Sequence, residues 1–241
     1  MPATTLRASP LVSWLATFAV LGLVACQSAT ITPGFAPVVA PKLAVGDHWR
    51  YKITDNLRLG LVTILEADVM SIRDGTAALR LVYNNQYGRN ESIEEIDASG
   101  SLVVGALKED PVLPFPTPLK FYEFPLEQGK TWRQVVDTIS PDTQLKAQIL
   151  LYGTVQGQTV VTAPAGTFNT TYVYRVIQLD DEQFWRTRTT RDDSVWFAPE
   201  MKAPVRELRD AYYYQSGGGP GTLVRTENTT RELISFQPGT R

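Results

Sequence analysis

Few residues in this chain could do chemistry. Its 241 residues hold one cysteine, Cys26, and one histidine, His48. A Ser/His/Asp relay would have to use His48, and Cys/His nucleophile pairs or zinc sites can hardly be built. His48 falls in the box Gly46-Asp47-His48-Trp49, whose second copy carries Thr131 at the same place, so a strand-surface role is expected for it. Carboxylates gather at Glu94-Glu95, Asp180-Asp181-Glu182 and Asp192-Asp193. Paired acids could hydrolyse a glycoside or hold calcium. None has the spacing of a calcium loop, and adjacent residues of a strand point to opposite faces, so solvated turns are expected. No metal, no cofactor and no catalytic residue is expected. The segment 184–191 (FWRTRTTR) reads as part of a strand over 183–190, with Arg186 and Arg188 on one face and Trp185 on the other. It suits an edge strand guarded by charge; the functional alternative is a wall that meets a lipid phosphate or an acidic glycan, and with Trp196 it forms the candidate ligand face. The sequons at Asn90, Asn169 and Asn228 mark surface loops at most. The glycine-rich stretch 216–221 lacks the Lys-Ser/Thr of a phosphate loop and reads as a hairpin tip.

Composition narrows the classes further. Hydrophobic residues make up 43% and charged residues 20%, which is ordinary for a globular chain and too apolar for a disordered one. Basic and acidic residues number 23 and 25, a net of −2, and no basic footprint is available for nucleic acid.

The elements that would position these groups are strands. From Lys42 onward no window places apolar residues at helical spacing; β-branched and aromatic runs recur between turn signals. Strands are expected at 47–54, 59–72, 76–83, 92–97, 101–104, 131–139, 144–156, 158–163, 168–179, 183–190, 194–197, 204–214 and 222–236. Turns are expected at Asp74-Gly75, Ser99-Gly100, Pro141-Asp142, Gly157, Pro164-Ala165-Gly166 and Asp192-Asp193. Residues 110–118 carry four prolines and read as a crossover between two halves. The halves repeat: Leu43-x-x-Gly46-x-x-Trp49-Arg50 returns as Leu126-x-x-Gly129-x-x-Trp132-Arg133, 83 residues on. In each copy the glycine permits a positive-φ entry into a strand, and the tryptophan supplies a large apolar surface with an N–H for a backbone carbonyl. Gly46, Trp49, Gly129 and Trp132 are therefore read as a signature of the fold. The expected class is all-β and antiparallel, two similar units (about 42–118 and 119–241) forming a curved sheet, half-barrel or sandwich.

The N-terminus reads as an address. Residues 1–10 carry one charge, Arg7, and an apolar run of 15 residues follows from Leu11 to Ala25. A membrane-crossing helix needs about 20, so residues 1–25 read as a signal peptide. The run ends in Leu23-Val24-Ala25-Cys26, which resembles a bacterial lipobox. That resemblance implies that Cys26 becomes an acylated N-terminus, the membrane being a partner through it. Gln27, where inner-membrane lipoproteins commonly carry Asp, implies an outer-membrane location in a Gram-negative host; in a Gram-positive host the plasma-membrane exterior is expected. Residues 26–41 read as a lipidated, proline-bearing tether, and the folded domain is expected over 42–241.

The Gly-Asp-x-Trp box, the Pro164-Ala165-Gly166-Thr167-Phe168 hairpin and Trp196-Phe197-Ala198-Pro199-Glu200 resemble those of bacterial envelope proteins with TapB-like or half-barrel domains of unknown function. The resemblance covers mainly 43–55 and 126–210, and Met201-Lys202-Ala203 departs from its pattern. It implies an envelope location and a curved sheet, and supplies no catalytic residue. The expected function is a non-catalytic binding module for an apolar or amphipathic ligand or an envelope protein partner. The alternatives are a structural subunit of an envelope complex and a hydrolase using two converging carboxylates.

Overall fold

A computed structural model of the chain describes residues 36–107, 112–140, 144–216 and 221–239. Cys26, the signal segment, most of the tether, the Pro141-Asp142 turn and residues 217–220 lie outside the described residues. Twelve strands follow one another: β1 (His48–Asp55), β2 (Leu61–Arg73), β3 (Thr76–Asn85), β4 (Gly88–Ile96), β5 (Leu102–Gly105), β6 (Leu113–Leu119), β7 (Thr131–Ile139), β8 (Lys146–Ala163), β9 (Gly166–Leu179), β10 (Thr189–Ala198), β11 (Ala203–Gln215) and β12 (Thr222–Gln237). All pairings are antiparallel, and the single sheet has the order β6-β5-β4-β3-β2-β1-β12-β11-β10-β9-β8-β7. The class is all-β, one nearly closed barrel-like sheet. Each half is a six-strand meander, and β1 and β12 join the halves.

The sequence expectation fails at several places: Glu94-Glu95 and the sequons at Asn90, Asn169 and Asn228 lie inside β4, β9 and β12 rather than in turns or loops, and three further failures have a clear physical reason. Gly157 is not a turn: β8 runs through it, with the register shift falling between Val155 and Gly157, so a glycine with freedom in φ serves a bulge. Asp192 and Asp193 are not a turn either; they lie inside β10, Asp193 opposite Arg175 and Arg209 on its two neighbours. The proline stretch is not only a crossover, since its second part forms β6, an edge strand, where proline is tolerated. The packed structure also begins before Lys42: Val38 is buried and exchanges hydrogen bonds with Leu126, at 3.0 and 2.7 Å.

The gap between β6 and β7 follows from the same prolines. Alternate residues of a strand direct their backbone groups to the same side, so Pro114, Pro116 and Pro118 take three donors from one edge of β6. That edge faces β7, because Gln134 Nε2 donates to the Pro118 carbonyl at 2.8 Å. Gln134 Oε1 accepts from the Lys120 amide at 2.9 Å, and Trp132 Nε1 donates to the Lys120 carbonyl at 2.8 Å. One carboxamide thus stands in for a peptide unit of the missing ladder.

Two apolar clusters fill the inside. One joins Leu119, Leu126, Trp132, Leu151, Val173 and Phe197; the other joins Trp49, Tyr51, Leu65, Val69, Val205 and Leu233. The outer wall carries cross-strand ion pairs, Arg206–Glu232 and Arg225–Asp210 among them.

Candidate functional site

The two copies of the repeated box build the same turn. Gly46 and Gly129 adopt φ of +85° and +78°. Their amides donate to Val69 and Val155 carbonyls at 2.9 and 2.8 Å, and those residues donate back to Asp47 and Lys130. Both tryptophans that follow are buried, Trp49 Nε1 donating to the Met201 carbonyl at 2.7 Å and Trp132 to Lys120. Trp132 lies opposite Gly153, where any Cβ would enter the indole ring. Asp47 of the first box ties distant segments together. Its buried carboxylate accepts from the Ala44 and Gly239 amides, each at 2.8 Å, and pairs with Lys202 at 2.8 Å.

His48 belongs to the outer wall. Its Nδ1 lies 2.7 Å from Asp68 Oδ1, and Asp68 Oδ2 takes Arg80 at 2.9 Å. The three occupy one row across β1, β2 and β3. Partial burial alone would raise the Asp68 carboxyl; the hydrogen bonds from Arg80 and His48 outweigh it and hold the group below its ordinary range.

The four residues of the expected ligand face do not come together. Gln183 to Arg186 form a tight turn closed by reciprocal backbone bonds of 3.1 and 3.0 Å, so the expected strand over 183–190 begins only at Thr189. Asp181 organises the turn: its carboxylate accepts from the Thr189 amide and hydroxyl, both at 2.7 Å, and pairs with Arg186 at 2.5 Å. Arg186 lies over the Tyr213 ring at 4.6 Å, and Trp185 meets Tyr213 edge to face. Arg188 pairs loosely with Asp180 and Glu182, at 3.8 and 3.7 Å. Trp185, Arg186, Asp180 and Lys146 help line an open cleft of about 490 Å³. Trp196 is elsewhere: it stacks on Tyr172 on the outer wall, seven residues along β10 from Thr189, or about 23 Å at the usual rise.

What the sequence reading missed is a charged layer inside the barrel. Arg175 Nη2 donates to Asp193 Oδ2 at 3.0 Å and to Glu207 Oε1 at 2.8 Å. Glu207 also holds Arg209, at 3.1 Å, and Arg231, while Asp193 takes Arg191 at 3.0 Å. The arginines reach both apolar clusters and the far wall. Arg175 lies over the Phe121 ring at 4.8 Å, Arg231 lies over Tyr51 at 5.0 Å, and Arg191 Nη1 donates to the Leu107 carbonyl at 2.6 Å. Burial alone would raise the Glu207 carboxyl, but Arg209, Arg231 and Arg175 hold it far below its ordinary range. Glu94, facing this layer from β4, goes the other way: burial raises it, over the attraction of Arg209 and Arg231 and a backbone bond from Ala106. Two carboxylates therefore do converge, but on guanidinium groups. Glu207 is buried and held in its carboxylate form by three guanidinium groups. Among the described residues no three His, Cys, Asp or Glu side chains gather to hold a metal ion.

No family model and no curated protein matches the sequence. Among solved structures the chain is similar to a Parabacteroides distasonis protein provisionally described as a lipoprotein, with a TM-score of 0.47 and 13% identity over 84% of this chain and 100% of that one. It is similar to the same extent to a Bacteroides fragilis protein, provisionally described as exported, with a YmcC-like fold. The hypothetical lipoprotein YmcC of Escherichia coli gives a TM-score of 0.43 and 8% identity over 80% of this chain and 85% of that one.

Proposed function

We propose that the chain is a bacterial envelope lipoprotein, acylated at Cys26, whose barrel-like domain is a non-catalytic binding module. The Leu23-Val24-Ala25-Cys26 sequence closing a 15-residue apolar run carries the anchor. One observation carries the non-catalytic reading: the convergent carboxylates, Asp193 and Glu207, are buried and paired with arginines inside a packed interior. Binding is thereby left to the exterior, where large apolar side chains such as Leu59 and Phe184 are exposed. Full-length protein extracted in mild detergent and analysed by mass spectrometry tests this. The expected result is acylation at Cys26, lost together with the membrane fraction in Cys26→Ala, and a stoichiometric amphipathic ligand beyond the anchor lipid. A fixed protein partner with no lipid beyond the anchor would favour the scaffold role. Hydrolysis of an envelope glycan that survives Glu207→Gln and fails in a surface carboxylate variant would overturn the non-catalytic reading.

A further inference from the structure

The strands alternate in direction, so the loops divide into two ends. One end holds the tight β2–β3 and β8–β9 turns, the Pro199–Met201 turn, the entering chain at Val38 and the closing Gly239. The other end holds the β1–β2, β3–β4, β5–β6, β7–β8, β9–β10 and β11–β12 loops, of which 108–111, 141–143 and 217–220 lie outside the described residues. Four of the six project a large apolar side chain: Leu59 is 105% exposed, Tyr87 80%, Leu145 66% and Phe184 96%. They stand on separate loops; Leu59 and Tyr87 flank one open recess, and Leu145 borders the cleft beside Trp185. Each has a cation one or two residues away, Arg58, Arg89, Lys146 and Arg186 respectively. The collar is balanced by acids, with Asp55 near Arg58 at 3.5 Å, Glu91 near Arg89 at 3.2 Å, and Asp181 against Arg186. Leu59 adds a second kind of observation. It holds φ +51°, a left-handed conformation that costs a non-glycine residue about 1 kcal/mol or more, while its side chain packs on nothing.

We infer that this loop end is a second contact with the phospholipid bilayer that holds the acylated Cys26, the four tips dipping below the headgroups and the mixed collar meeting zwitterionic phosphates and amines. Tips exposed on separate loops, with only open, shallow recesses between them, suit a fluid apolar phase that shapes itself around each tip. Trp185, partly exposed behind the Phe184 tip, takes the place an interfacial tryptophan prefers. The length of chain allows it: ten residue steps from Cys26 to Ala36 reach at most about 35 Å, and the wall from base to loops, 8 residues in β1 and 10 in β10, is about 26–33 Å. The anchor makes the contact intramolecular, so four weak insertions suffice where they would fail in a free protein. The inference rests on the anchoring reading.

The test uses the full acylated protein in phosphatidylcholine/phosphatidylethanolamine vesicles whose acyl chains are dibrominated. Of the four tryptophans after Cys26, Trp49 and Trp132 are buried, so contact quenches at most about a quarter of the emission, the Trp185 share. The quench disappears in Trp185→Phe, and falls at least several-fold in the Leu59→Asp, Phe184→Asp variant. That variant keeps its melting temperature, because neither side chain packs on the fold. Protein that floats with the vesicles yet shows no quench overturns the inference. So does quenching only by added protein-free brominated vesicles, or a co-purified protein that shields the tips. Loss of flotation and of the acyl mass is the separate failure of the anchor.

Discussion

Glu207→Gln isolates the charged layer. The substitution preserves shape and removes one charge from a carboxylate that is 1% exposed and bonded to Arg175, Arg209 and Arg231. It leaves three guanidinium groups with Asp193 as the remaining directly paired carboxylate and Glu94 and Glu227 farther off, and breaking a buried pair from one side costs about 3–5 kcal/mol. For a domain of this size each kcal/mol moves the melting temperature by about 2–4 °C, so the variant melts about 10 °C lower at pH 7. The pH dependence carries the sharper signature. The folded Glu207 carboxyl lies well below its unfolded value of 4.5, so its contribution is fully present above that value and is lost as pH falls toward the folded value. Calorimetric melts of wild type and variant from pH 8 to pH 3 should therefore run parallel above about pH 5.5 and converge below it. A loss under 1 kcal/mol, or a gap of constant size down to pH 3, would show that the arginines are satisfied without this carboxylate and refute the reasoning.

Three more substitutions probe the seam, the box and Glu94. Gln134→Leu removes both bonds to Pro118 and Lys120, costs about 1–3 kcal/mol and speeds amide exchange at Lys120 while β9 and β10 stay protected; uniform exchange would show that the seam has no local role. Gly153→Ala drives a methyl into the Trp132 indole, costs about 1–3 kcal/mol and shifts tryptophan emission to the red, whereas an unchanged spectrum would mean the ring has room. Glu94→Gln raises the melting temperature at pH 8 and leaves it unchanged at pH 4. Glu94 has a raised folded value, so its contribution is intact below the unfolded value and declines as pH rises through the folded one. A lower melting temperature at pH 8 would mean that its attraction to Arg209 and Arg231 outweighs burial.

The strands were legible where one face alternates cleanly. The reading of 131–139 matches β7 at both ends because Trp132 and Val136 alternate with Arg133 and Asp137 on a half-buried strand. Gly157 and Asp192-Asp193 misled because local punctuation was weighed without knowing the neighbours across the sheet. Asp193 is tolerable inside β10 because Arg175, 18 residues earlier, pairs opposite it and Arg191 pairs with it from the same strand. That pairing is a tertiary fact. One hint was available: Arg175 stands between Val173 and Ile177 on the inward side of an otherwise apolar alternation, and a cation there needs a buried partner. Trp185 and Arg186 share one turn, as their adjacency implies, whereas Trp196 is set apart from them by the register of β10 alone.

The barrel is closed by two different means, and the difference follows from the sequence of one strand. A duplicated six-strand meander offers two places for its halves to join, β12 with β1 and β6 with β7. The first forms a full ladder with one bulge, between Arg50 and Tyr51. At the second, alternate prolines in β6 forbid a ladder, and Trp132 and Gln134 lend side chains to the bare carbonyls and amide of the edge. The same edge would otherwise recruit another chain, which prolines and a bonded carboxamide prevent. Local opening is therefore expected at β6–β7 before β1–β12. The charged layer limits how far that opening spreads, because Arg191 at Leu107 and Arg175 beside Phe121 and Tyr122 hold the β5–β6 wall from the inside. Weakening Glu207 and Gln134 together should thus cost more than the sum of the two single losses, and strictly additive melts would place the seam and the layer in independent parts of the fold.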